Sequence, residues 1–185
     1  MQNKTDHRQS ASAQPMQKMR WQFVRGRGAI SRLISWYDGI YSHVDWITPN
    51  GMLRGARSDM VYTPTCKEGI HPGYRDRPMD YDIKDWSLRT IFTLNVTSEQ
   101  AQVYKDFSDA QLGKPYDSRG ITGFVFDKRN WHEPDSWFCS EEVQANLEAA
   151  GISPPMYEDS NRVDPGDLAF ILCALGANYQ DLPCR

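Results

Sequence analysis

The sequence predicts a single α+β domain, and three observations carry that prediction. Two runs, "YSHVDWI" and "SLRTIFTLNV", alternate with the period of two that marks a strand. Two others, "TSEQ" and "VDPGD", have the cap chemistry that opens a helix. With 185 residues and no internal repeat, the chain has room for one core and little more.

The elements follow in order. The first fifteen residues, "MQNKTDHRQSASAQP", are polar and contain no apolar h-region, which argues against a secretory signal. They read as a disordered lead over residues 1–18, with the domain spanning 19–183. Gly28 precedes a helix over about 29–37, where Ile30, Leu33, Ile34 and Tyr37 repeat at helical spacing. A strand follows, with Tyr41, His43, Asp45 and Ile47 on one face and Val44 and Trp46 on the other. Asn50-Gly51 then turns it into a β-hairpin. From Ser58 to Asp85 the chain is rich in Pro, Gly and Asp with little periodicity, as expected of a long surface excursion that could rim a site.

The second alternating strand carries Leu88, Thr90, Phe92, Leu94 and Val96 on one face. Thr97 and Gln100 form a capping box for a helix that runs to Leu112 and stops at Gly113. "GKPYDSRGITGFVF" is a turn leading into an apolar segment. "SWFCSEEVQANLEAAG" is a helix with Cys139 at its start and Gly151 as its stop. Asp164 caps a last helix, with Pro165 in its first position and Asp167 in its first turn.

Net charge is −3 with both signs scattered, and no Lys/Arg stripe points to nucleic acid as a partner. No apolar run is long enough to span a bilayer. The expected compartment is the cytoplasm. The four cysteines (Cys66, Cys139, Cys173 and Cys184) are widely spaced, so reduced thiols are expected rather than a disulfide framework. Cys173 lies among Phe170, Ile171, Leu172 and Leu175, which predicts packing. Cys184 has no evident role, and Cys66 falls in the irregular excursion.

Cys139 alone has a chemical setting. A helix N-terminus favours negative charge, so a thiol there is placed to become a thiolate. At helical spacing Cys139 shares an inward stripe with Val143, Leu147 and Ala150. Glu141 lies about 200° around the helix from it and Glu142 about 300°. Both read as first-turn acids that complement the helix dipole, and neither would activate the sulfur.

A thiol nucleophile needs a base, usually histidine. His7 is in the lead, and His71 and His132 are in irregular segments. His43 sits at a strand start with Asp45 on the same face, where a carboxylate can fix the imidazole's tautomer. Zinc is disfavoured. Cys66 with His71, or His132 with Cys139, could donate, but structural sites show paired ligands at short spacing and no second pair exists. No cofactor is expected.

Taken in order, "YSHVDWITPNG", "LRGARSD", "GKPYD", "WFCSEEV" and "RVDPGDL" resemble the circularly permuted papain-like hydrolases. These are relatives of the NlpC-type cell-wall peptidases, the YiiX/YebB-like proteins and lecithin retinol acyltransferase. The histidine precedes the cysteine, which is the permuted order. The resemblance covers roughly Trp21 to Leu175. It implies a small antiparallel sheet or half-barrel packed against the helix that bears the nucleophile. It also implies Cys139 as nucleophile, His43 as general base and Tyr116 as a hydroxyl near the oxyanion. The size and motif set further resemble proteins encoded in bacteriophage genomes.

One position departs from the family. Many NlpC-type sequences carry a polar residue on the strand after the histidine, and the matching position here is Gly55. That leaves Asp45, a backbone carbonyl or no third group to orient His43. The function implied is a cysteine hydrolase that cleaves an amide, such as a peptidoglycan-type peptide or isopeptide, through an acyl-enzyme. A lipid acyl ester is an alternative substrate, and a cell-wall substrate would require delivery by lysis or a virion. A non-catalytic binding module is the alternative class, with Arg54, Arg57, Arg75 and Arg77 lining a cleft for an acidic ligand. The residues imply no oligomeric state.

Overall fold

The computed structural model describes residues 14–27, 40–58, 60–63, 66–115, 138–154 and 163–184. Over these the chain is mixed α+β, with one antiparallel six-stranded sheet, a two-stranded ribbon and three helices. The sheet's long central strand is β1, Met16–Gly26, which pairs on one side with β2, His43–Ile47, and on the other with β7, Trp86–Thr97. The expected domain boundary at residue 19 falls inside β1, because Met16, Gln17 and Lys18 already pair with Thr97, Val96 and Asn95.

The predicted hairpin forms. β2 turns through Thr48–Met52 into β3, Leu53–Arg57, with Gly51 in the left-handed region at φ 75°. Glycine adopts that conformation without steric cost, which is what Asn-Gly signals in a sequence. The predicted helix over 29–37 lies outside the described residues.

The segment expected to be an irregular excursion is more ordered than that. It contains a ribbon of β4, Val61–Thr63, and β5, Cys66–Ile70, and then β6, Gly73–Arg77, which pairs with β3 as the sheet edge. A 3₁₀ turn, Ile83–Asp85, leads into β7. These strands are three to five residues long, too short to show a period, and β6 turns Arg77 inward.

β7 buries Thr90, Phe92, Leu94 and Val96, as its alternation predicts. Helix α1, Ser98–Gln111, follows directly. Its capping box is complete: Gln100 N–H donates to Thr97 Oγ1 at 3.1 Å, and Thr97 N–H to Gln100 Oε1 at 3.0 Å. Helix α2 is Cys139–Ala149. Helix α3 is Pro165–Ala174, capped by Asp164 Oδ1, which accepts from Asp167 N–H at 2.6 Å. A short exposed strand, β8, Asn178–Asp181, pairs with β7 and completes the sheet order β6-β3-β2-β1-β7-β8. Cys173 is exposed on α3, against the packing role expected of it, because the helix buries Leu168, Ala169, Ile171 and Leu172 instead.

The sheet is apolar on both faces. Trp21, Phe23, Val44, Trp46, Phe92 and Leu94 pack with residues of all three helices. Val24, Ile47, Leu53 and Trp86 form a second cluster with Val61 and Tyr81. The arginines are structural as well. Arg54 grips Asp76 with two bonds, at 2.5 and 2.9 Å, and reaches Asp109 and Ser108 on α1, while its guanidinium lies 5.5 Å from the Trp46 ring. It therefore ties β3, β6 and α1 together, and is neither solvated nor facing an open cleft. Arg54→Ala strips donors from Ser108 and two carboxylates, and should cost about 3 kcal/mol. Urea denaturation at neutral pH checks this as a lower midpoint with little change in slope.

Candidate active site

Cys139 is the first residue of α2, and His43 is the first residue of β2. Helix α2 packs on β2 and β3, with α1 and α3 as its other neighbours. The expected inward stripe holds, since Cys139, Val143, Leu147 and Ala150 are all buried. Ser140 Oγ donates to Val163 O at 2.7 Å and fixes the first turn of the helix to the chain entering α3. Glu141 does more than complement the dipole. It is buried, and its Oε2 accepts the Phe138 N–H at 3.1 Å, closing the turn that presents Cys139.

This packing places the thiol beside the imidazole, close enough for each to feel the other's charge. On its other side, His43 Nε2 meets Asp45 Oδ1 at 2.9 Å. With Nε2 engaged there, Nδ1 is the nitrogen left to exchange a proton with the sulfur. Asp45 is fully buried, and its second oxygen accepts the Tyr81 hydroxyl at 2.5 Å. The Arg77 guanidinium adds positive charge nearby. Arg77 is itself buried and donates to the carbonyls of Gly55 at 2.8 Å and Gly73 at 3.1 Å. Arg57 lies 5.1 Å from the Tyr81 ring and pairs with Asp82 at 3.0 Å.

The electrostatics follow from this arrangement. Burial alone would push His43 down, but the Asp45 carboxylate and the Cys139 sulfur outweigh it and raise the imidazole to about 9. Burial pushes Asp45 up, yet His43, Tyr81 and Arg77 together hold it below the usual carboxylate range. The arrangement thus favours the charged imidazole and the charged carboxylate together.

Gly55 stands where the resemblance led to the expectation of a polar side chain, and the structure shows what uses the space. A Cβ at Gly55 would collide with Asp45 Oδ1 and sit 3.1 Å from both Asp45 Cγ and Val44 O. The carboxylate reaches in from the neighbouring strand and occupies the place that a side chain at 55 would take. Of the three orienting elements left open by the sequence, Asp45 is the one that contacts His43.

No family model matches the chain, and no curated protein matches it in sequence.

Tyr116 lies outside the described residues, as does His132. His71 is exposed. Among the described residues no group of three His, Cys, Asp and Glu side chains is placed to hold a metal, and no helix is long and apolar enough to cross a membrane. Tyr81 is the contributor that sequence reasoning missed, and Arg77, expected to line a ligand cleft, supports Asp45 instead. Both come from the aperiodic 58–85 segment, where a lone tyrosine in "MDYDIKDW" carries no positional signal.

Gly55→Ala should drive the Asp45 carboxylate off His43. The imidazole would then titrate well below 9, toward its ordinary value of about 6.5. NMR titration of the His43 ring protons reads this directly, and an unmoved titration would show that Asp45 keeps its place. Tyr81→Phe should shift His43 less, since it removes a donor to Asp45 and leaves the ion pair in place.

Proposed function

We propose that the chain is a cysteine hydrolase of the permuted papain-like type, acting through an acyl-enzyme. The observation that carries this reading is the convergence of Cys139, His43 and Asp45, with 96 residues between the thiol and the histidine. A thiol at a helix start, beside an imidazole that is itself held by a buried carboxylate, is a nucleophile, a base and an orienting group in series.

The cycle begins with Cys139 as a thiolate beside protonated His43. Sγ attacks the substrate carbonyl carbon, and the tetrahedral oxyanion faces the first N–H groups of α2, which have no acceptor within the helix. As the C–N bond breaks, His43 gives its proton to the departing amine and a thioester remains on Cys139. Water then attacks the thioester, His43 takes the water's proton, and the acid leaves as Cys139 is regenerated. Asp45 stays ionised throughout and holds the imidazole ring through Nε2.

An amide, such as a peptidoglycan-type peptide or an isopeptide, is the favoured substrate, with a lipid acyl ester as the alternative. The binding-module reading drew on the missing side chain at Gly55 and on four arginines. Asp45 fills the first gap, while Arg54 and Arg77 are buried and bonded to the protein itself.

Mass spectrometry of the intact protein after exposure to cell-wall digests and acyl esters should give an adduct on Cys139 whose mass names the acyl group. Cys139→Ala should abolish the adduct, and His43→Ala should slow its formation by roughly a hundredfold or more. Failure of wild type to form any adduct or turn over any amide or ester would favour the binding module. Iodoacetamide labelling of Cys139 offers a test that needs no substrate. A labelling profile against pH that is identical in wild type and His43→Ala would falsify the thiolate–imidazolium pair.

A further inference from the structure

Glu142 is a fully buried acid one turn beyond Cys139 on α2, and the cycle above does not use it. Asn146 of the same helix donates its amide to Oε1, and the Tyr74 hydroxyl of β6 is the second neighbour. That hydroxyl bonds Ser108 Oγ of α1 at 2.6 Å, so polar groups of α2, β6 and α1 meet at this point. Oε2 has no hydrogen-bond partner among the described residues.

The charged and titratable groups that face it are Tyr74 from β6, Tyr104 from α1, Arg54 from β3 and Asp45 from β2. Arg54 is already committed to Asp76, Asp109 and Ser108. Asp45 is negative, and so is a Cys139 thiolate on the same helix. A carboxylate at 142 would therefore be buried with one oxygen lacking a donor and with like charge on the side of the site.

We propose that Glu142 is a positioning residue held as the neutral carboxylic acid, pinning the Cys139 end of α2 to β6 and α1 through Tyr74 while keeping a further negative charge away from the Cys139–His43–Asp45 line. The proposal rests on that trio being the reactive centre. Its electrostatics agree: burial raises the group to about 8, against the smaller opposing pull of Tyr74, Asn146 and Arg54. The same residue would ionise near 4.5 in the unfolded chain. Folding thus takes up a proton between these values, so Glu142's contribution to stability is greatest at acid pH and declines as pH rises toward 8.

The test compares the pH dependence of Tm for wild type and Glu142→Gln, which cannot ionise. The variant's Tm relative to wild type should rise by roughly 10 °C between pH 5 and pH 9. Cys139 labelling by iodoacetamide at pH 7 should stay within about twofold of wild type in Glu142→Gln. In Glu142→Leu, which removes the polar link, it should fall about tenfold or more, toward the His43→Ala rate. Parallel Tm curves would overturn the neutral acid, and wild-type labelling in Glu142→Leu would overturn the positioning role. If Glu142→Leu does not fold, the Gln comparison decides alone. A His43→Ala variant that labels like wild type removes the hydrolase reading, while diverging Tm curves would still support a neutral Glu142.

Discussion

The arrangement of the site depends on one buried charge, the Asp45 carboxylate. An ionised carboxylate with no solvent exposure is costly unless nearly every lone pair is met. Here one oxygen meets His43, the other meets Tyr81, and Arg77 supplies a positive charge nearby. These partners come from β2, the turn after β6 and β6 itself, so the charge binds separate stretches of chain into one unit. Gly55 belongs to the same constraint, since only a residue without a side chain leaves the carboxylate its volume.

Two buried carboxyl groups lie close enough to influence each other, and their surroundings push them in opposite directions. Asp45 has a cationic imidazole in contact and is held ionised. Glu142 has an amide and a phenol in contact, while the nearest guanidinium is engaged elsewhere, and it is raised. Burial is the largest single influence on both, so the difference comes from the neighbours. Two similar buried groups that feel each other's charge can thus hold different protonation states at the same pH.

Much of this was legible in the sequence wherever a periodic or cap signal existed. The alternation of "SLRTIFTLNV", the Asn-Gly turn, the Thr97–Gln100 box and the Asp164-Pro165 start each correspond to a formed element. No strand was expected at β1, although Met19, Trp21 and Phe23 alternate there with Arg20 and Gln22 in the same period of two. β8 is exposed along its whole length, so no hydrophobic pattern marks it. In the site, Cys139, His43 and Asp45 were readable from helix position and strand alternation. Tyr81 and Arg77 were not, because their roles come from tertiary approach in a segment too short-stranded to carry a period. Glu141 and Glu142 were readable as helix-start acids, but no sequence signal separates a cap, a neutral buried acid and a solvated one.

The order of His43 and Cys139 along the chain has a consequence for biosynthesis. Translation delivers β1 to β7 and α1 before α2, so His43, Asp45, Gly55, Arg77 and Tyr81 are all present while Cys139 is still unmade. Until α2 docks, Cys139 is an ordinary thiol without its imidazole partner. Closing that long-range contact is entropically expensive and so comes late in folding. On the proposed reading, Cys139 therefore lacks its imidazole partner until the strands that receive the helix have formed.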